Sequence, residues 1–227
     1  MREYRPPTEP FLNEIYADDT LLVLDKPSGL LSVPGRAPEH ADSLASRVQQ
    51  RYPGAMTVHR LDMDTSGLIV MARHPIAHRQ LSALFQQRRV EKTYYAEVWG
   101  EPAKDAGEID LPLICDWPNR PRQKVDFEVG KPSLTHWEKV ASAGHTSLIR
   151  LTPVTGRSHQ LRVHMAAIGH PILGDPFYAQ AQALAAAPRL LLHAASLSFA
   201  HPASDAPLQF HCAPDTDLFR LCAEHQL

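Results

Sequence analysis

The chain has 227 residues and a mass of 25.3 kDa, is 44% hydrophobic and 21% charged, and carries a formal net charge of -2. That supplies core-forming material for one substantial domain and excludes wholesale disorder. No run approaches the roughly 18 consecutive apolar residues of a membrane span, and the opening MREYRPPTEPF lacks an apolar secretory region. Three cysteines without a CxxC pair argue against a disulfide framework or thiolate zinc site, so the reducing cytoplasm is the expected compartment.

Taken in chain order, Leu21–Asp25 (LLVLD) predicts a short strand stopped by the turn-forming Lys-Pro-Ser-Gly that follows. Asp42 is placed to cap a helix near Ser43–Tyr52. Leu68–Ala72 (LIVMA) predicts a buried strand, and Pro75 suits the first turn of a helix through about Arg88. Alternation predicts strands at Lys92–Trp99, Thr135–Ala141 and Thr146–Leu151. A helix from about Ser158 to Ile168 is expected to end at Gly169. Arg189–His193 and Leu208–Phe210 read as later strands, the alanine-rich run 179–187 as helix propensity, and a short helix as the close of the chain. The segment Asp116–Lys124 (DWPNRPRQK) is a loop with three positive charges, suited either to gripping phosphates or to lying as a solvated surface loop. With no linker or repeat, the pattern predicts one α+β domain dominated by sheet.

The net charge conceals a distribution. Residues 1–20 and 201–227 each carry -3, which leaves +4 on residues 21–200. Between Glu138 and Asp175 there is no acidic residue, only Lys139, Arg150, Arg157, Arg162 and four histidines. Such a surface permits a phosphate-rich partner without proving one.

Three clusters carry chemistry-bearing residues. The first is Val58–Gly67, VHRLDMDTSG, just before the strand LIVMA. It reads either as a turn whose Asp64, Thr65 and Ser66 satisfy local backbone groups, or as side chains presented from the rigid mouth of a strand. A metal-binding Asp62/Asp64 pair of the aspartate-nucleophile phosphatase kind is disfavoured, because His-Arg-Leu precedes and Thr65 comes one place early. A kinase H-R-D loop is disfavoured because Leu61 intervenes and no Gly-rich loop accompanies it. What survives is an ionised carboxylate beside a fixed cation. The second cluster is Thr155–His164, TGRSHQLRVH, where helical spacing puts His159 with Arg162 and Gln160 with His164. A zinc site is its obvious rival in a chain with 13 histidines, but there is no H-E-x-x-H and no nearby carboxylate. The third is Lys92-Thr-Tyr94-Tyr95-Ala96, where strand alternation sets Tyr94 on the face of Lys92 and Ala96, and Tyr95 on the other. A tyrosine in such a place is by default a core residue with its hydroxyl satisfied.

These clusters, in this order, resemble the RluA family of pseudouridine synthases. HRLDMDTSG is similar to that family's H-R-L-D-x-x-T-S-G signature and EKTYYAEVWG to its K-x-Y-x-A strand. TGRSHQLRVHMAAIGHPILGD resembles its arginine-bearing helix and the Gly-Asp turn beyond, and LLVLDKPSGLLSVPG fits as well. The resemblance covers roughly residues 15–212. It implies the pseudouridine synthase fold, an α+β single domain with a mixed, mainly antiparallel central sheet flanked by helices. Residues 1–14 would form a lead segment and 15–227 the catalytic domain. The short lead, with no S4 domain, points to the small branch of the family, acting on large-subunit ribosomal RNA and the tRNA anticodon stem-loop.

The reaction implied breaks the N1–C1′ bond of a uridine, turns the uracil and joins C5 to C1′, with no cofactor and no metal. By the resemblance Asp62 is the essential aspartate, either as nucleophile or as the base that removes a ribose proton. Arg162 is its cationic partner, and Tyr94 stacks on the ring or serves the departing C5 proton. Arg60 fills the gap left by the flipped uridine, Leu161 packs on the uracil, and His59 and Arg157 join them in substrate binding. Lys26, Arg36, Arg88, Arg89, Arg120, Arg122 and Lys124 are further candidate phosphate contacts, each also readable as a plain surface charge. Asp64 is expected to be structural. The partners expected are RNA alone, with no membrane and no obligate protein partner, for a monomer. A non-catalytic RNA-binding module and a metal-dependent phosphohydrolase are the competing readings.

Overall fold

The computed structural model describes residues 3–216 and 218–224, without the side chains of residues 223 and 224. In chain order its strands are β1 (Glu14–Ala17), β2 (Leu21–Lys26), β3 (Met56–Thr57), β4 (Ser66–Ala72), β5 (Glu91–Trp99) and β6 (Ala106–Asp110). β7 (Leu113–Cys115), β8 (Gln123–Val125), β9 (Leu134–Ala143), β10 (Thr146–Pro153), β11 (Leu192–Ala200) and β12 (Pro207–His211) follow. The helices are α1 (Leu44–Arg51), α2 (Pro75–Gln86), α3 (Gln160–Ala167), α4 (Ala181–Ala185) and α5 (Arg220–Glu224). The class is α+β, with strands pairing mainly antiparallel. None of the described helices is long and apolar enough to cross a membrane.

Backbone contacts gather into two compact units. One runs to Glu91 and resumes over Ala194–Cys212; the other comprises Lys92–His193 and the chain from Ala213 on. In the first, β1 pairs with β2, β2 with β4 and β3 with β4, all antiparallel, while β11 pairs antiparallel with β12. Every residue of β4 is buried, which is why SGLIVMA carries an almost unbroken apolar run rather than an alternation. Leu68 and Val70 pack with Leu21 and Val23 of β2 and with Ala77, Leu81 and Leu84 of α2. Each such aliphatic side chain contributes about 1.5–3 kcal/mol on full burial.

The second unit is built on β5, β10, β9 and β6, antiparallel in that order, with β7 and β8 as a separate hairpin. Its core joins Ala96 and Val98 of β5, Leu148, Ile149 and Leu151 of β10, and Leu161 and Met165 of α3.

Several boundaries differ from those expected. The cap of α1 is Ser43, not Asp42: Ser43 Oγ accepts from the Ser46 N–H, and Ser46 Oγ accepts from the Ser43 N–H, a reciprocal capping box. Asp42 instead receives Nε and Nη2 of the buried Arg47 at 2.8 and 2.7 Å. The strand expected at Arg189–His193 starts at Leu192 and continues to Ala200. α2 stops two residues early and α3 starts two residues late. The short polar strands β1 and β6 and the pair β7–β8 carry no alternation strong enough to read.

Candidate active site

In the first unit, the loop from His59 to Thr65 is held mainly through its backbone. Ser32 Oγ donates to the Leu61 carbonyl at 2.7 Å and accepts from the Leu61 N–H at 3.1 Å. Ser28 Oγ donates to the Asp64 carbonyl at 2.7 Å, and the Gly29 N–H to the Met63 carbonyl at 2.9 Å. Lys26 Nζ, fully buried, donates to the carbonyls of Pro27, Leu30 and Met63 at 2.9, 2.8 and 3.0 Å. Lys26 is therefore a support of the loop, not the phosphate contact its charge suggested.

The loop then turns tightly, the Thr65 N–H returning to the Asp62 carbonyl at 3.2 Å. That turn leaves Arg60 exposed and Asp62 half-buried, whereas Asp64 is buried. His59 stands behind the loop: its Nε2 accepts from the Val70 N–H at 3.0 Å, and its ring stacks on Phe85 at 4.4 Å between centroids. Gly67 closes the segment with φ +104°, where a Cβ would fall 2.3 Å from the Ala194 carbonyl oxygen, so only glycine fits.

In the second unit, α3 begins from His159, which sits in the left-handed region at φ 53°. Gln160 fixes the entry to the helix. Its Oε1 accepts from Thr155 Oγ1 at 2.7 Å and the Arg157 N–H at 3.0 Å, and its Nε2 donates to the Leu134 carbonyl and Thr135 Oγ1. His164, one turn on, is buried with Nδ1 on Thr135 Oγ1 at 2.9 Å and Nε2 on the Leu111 carbonyl at 3.1 Å. Burial pushes its imidazole below the ordinary range.

Arg162 is the centre of this unit's polar interior. Its Nε and Nη2 reach Oδ2 and Oδ1 of Asp175 at 2.8 and 2.7 Å, and the two side chains are 2% and 0% exposed. A bidentate fork of this kind fixes the guanidinium plane as well as its charge. Asp175 Oδ1 also accepts the N–H groups of Phe177 and Tyr178 at 2.9 and 3.3 Å, and those rings lie 5.2 and 5.3 Å from the guanidinium carbon. The Tyr178 hydroxyl accepts from the Gln123 N–H at 2.8 Å and is hydrogen-bonded to His159 Nδ1 at 2.7 Å. Gly174, at φ +68°, delivers Asp175 into this position; a Cβ there would lie 1.9 Å from the Arg189 carbonyl oxygen.

Tyr94 on β5 is half-buried against the core, opposite Leu151. Two residues earlier, Lys92 lies against Gly156, and burial pushes its ammonium below the ordinary lysine range. Leu161 is buried in the unit's core, and Arg157 is exposed at the entry to α3. His59, Arg60 and Asp62 thus share one loop; Arg157, Leu161 and Arg162 share one helix and its entry; Tyr94 stands on a strand. The sequence placed Asp175 only in the Gly-Asp turn after the helix, with no role at the site, and passed over Phe177 and Tyr178. The available signal was that Asp175 is the carboxylate ending the acid-free run that starts at Lys139.

Residues 20–167 match the family described as RNA pseudouridylate synthase, which makes the class that of an isomerase acting on RNA. The chain is 56% identical over 216 residues to the dual-specificity RNA pseudouridine synthase RluA of Escherichia coli (strain K12), covering 95% of this chain and 99% of that one. It is 58% identical over 209 residues to the protein of the same name from Vibrio vulnificus (strain CMCP6), covering 90% and 84%. The chain belongs to the RluA family of pseudouridine synthases. Among solved structures, human RNA pseudouridylate synthase domain containing 1 superposes with a TM-score of 0.75 at 29% identity, over 93% of this chain and 86% of that one. Human RNA pseudouridylate synthase domain containing 4 shares the fold, with a TM-score of 0.74 at 24% identity, over 94% and 93%.

Proposed function

We propose that this chain converts specific uridines to pseudouridine in large-subunit ribosomal RNA and in the tRNA anticodon stem-loop. It works as a cytoplasmic monomer without metal or cofactor, residues 15–227 serving as the catalytic domain. The near full-length match to a dual-specificity relative carries the substrate part of this reading. The chemistry needs a carboxylate at the glycosidic carbon. Asp62 supplies it, either by attacking C1′ as N1 departs or by removing a ribose proton so that the uracil leaves by elimination. Arg162, its guanidinium plane fixed by Asp175, is the cation this reading assigns to the reaction.

Once C5 has joined C1′, the hydrogen on C5 leaves as a proton to solvent, with Tyr94 stacked on the ring and guiding that loss. The uridine must leave its stack for either carbon to be reached, and Arg60, exposed on the loop, takes its place. Leu161 contacts the uracil, Arg157 a neighbouring phosphate, and His59 steadies the loop from behind.

The test is tritium release from RNA labelled at uridine C5, with no added metal, for wild type and Asp62→Ala, on ribosomal and tRNA transcripts separately. Release by the wild type on both RNAs, unaffected by EDTA and abolished in the variant, is expected. No release from either RNA by a folded wild type would overturn the activity, and release from one alone would overturn the dual substrate range.

A further inference from the structure

The loop between β7 and β8 presents a feature that the isomerisation does not use. Trp117 is 68% exposed, and the Arg120 guanidinium carbon lies 4.0 Å from its ring centroid. The loop is closed from within: the Asn119 N–H donates to the Asp116 carbonyl at 2.9 Å, the Arg122 N–H to the Asn119 carbonyl at 3.1 Å, and the Asp116 N–H to the Arg122 carbonyl at 2.9 Å. Asn119 Nδ2 adds a bond to Asp116 Oδ2 at 2.9 Å. The indole is therefore held outward by a rigid turn, with Arg120 against it and most of its surface open to solvent.

The same loop is tied to the interior described above. Arg122 donates to the Phe177 carbonyl and lies over the Tyr178 ring, and the Gln123 N–H binds the Tyr178 hydroxyl. Phe177 and Tyr178 are the rings that flank Arg162. An object resting on Trp117 thus sits at a fixed offset from Arg162, within one compact unit. With the Arg120 guanidinium over one face of the ring, the indole's other face suits an unpaired base whose phosphates meet Arg120, Arg122 or Lys124.

We propose that Trp117 and Arg120 form a stacking shelf for one unpaired base of the RNA, other than the isomerised uridine, and so help to select the site. This rests on the reading that the substrate is a structured RNA with unpaired loop bases. The shelf acts as a gauge: only RNAs with an unpaired base at the right distance from the target satisfy both positions.

Tryptophan fluorescence tests it directly, because a stacked base quenches an indole. The Asp62→Ala protein, titrated with an anticodon stem-loop transcript, is compared with Asp62→Ala carrying Trp117→Phe; Trp99 and Trp137 remain in both. Quenching is expected in the first and not in the second. In the otherwise wild-type enzyme, Trp117→Ala is expected to raise KM by roughly 5- to 150-fold, with kcat at saturating RNA changed far less and Trp117→Phe retaining most of the affinity. Abasic substitution through the loop should find one position whose loss weakens the wild type and leaves Trp117→Ala unaffected. Quenching that persists without Trp117, or a KM unmoved by Trp117→Ala, would overturn the shelf while tritium release left the isomerase intact. Absence of release with quenching preserved would sink the isomerase and keep the shelf.

Discussion

Replacing Asp175 by asparagine removes one charge from a pair that is almost wholly out of water. Arg162 would lose a bidentate partner at 2.8 and 2.7 Å. The amide keeps one oxygen, so the N–H groups of Phe177 and Tyr178 retain their acceptor, while its NH2 faces a guanidinium that also only donates. Breaking a buried pair from one side costs about 3–5 kcal/mol, or roughly 6–20 °C in Tm for a protein of this size. Urea unfolding at neutral pH measures the loss. A guanidinium released from its fork also loses orientation, so tritium release is expected to fall by about 100-fold or more. The paired change Arg162→Met with Asp175→Asn, which keeps an oxygen for the Phe177 and Tyr178 N–H groups and removes the donor facing the amide, should regain much of the stability and none of the activity. A cost below about 1 kcal/mol for Asp175→Asn, or full activity in that variant, would refute the view that Asp175 fixes Arg162.

Gly174→Ala combines a left-handed φ with a Cβ 1.9 Å from a carbonyl oxygen, and is expected to cost at least about 2 kcal/mol; a Tm within about 2 °C of wild type would argue against it. Burial holds the His164 imidazole below the ordinary histidine value of about 6.5 in the folded chain. The unfolded chain then binds the extra proton first, and stability falls as pH drops below that value towards the folded pKa. Unfolding measured across this window should show a slope that flattens in His164→Asn; equal slopes would remove His164 as the cause.

The parts of this protein legible in its sequence are those whose cause is local. LIVMA announces a strand buried on both faces, Pro75 opens a helix, and the cluster His59, Arg60, Asp62 lies on one loop because its members are adjacent in the chain. Asp42 misled because Ser43, one position on, has a partner in Ser46 that completes a box, which freed Asp42 to hold Arg47. Lys26 misled for a related reason. A lysine before Pro-Ser-Gly looks like a surface charge until three carbonyls from two segments converge on it. Asp175 lies thirteen residues beyond Arg162, and nothing within a helical turn or a strand period links the two.

The supports of the 59–65 loop have a consequence for how such an enzyme could change over time. Lys26, Ser28, Gly29 and Ser32 grip the main-chain atoms of Leu61, Met63 and Asp64, and none of those bonds uses the side chain at position 62. The proposed chemistry and these supports thus use different atoms of the same loop. On the proposal that Asp62 performs the reaction, a codon change at 62 removes the chemistry while these main-chain bonds stay in place, so a duplicate gene can drift from modifying RNA to merely holding it.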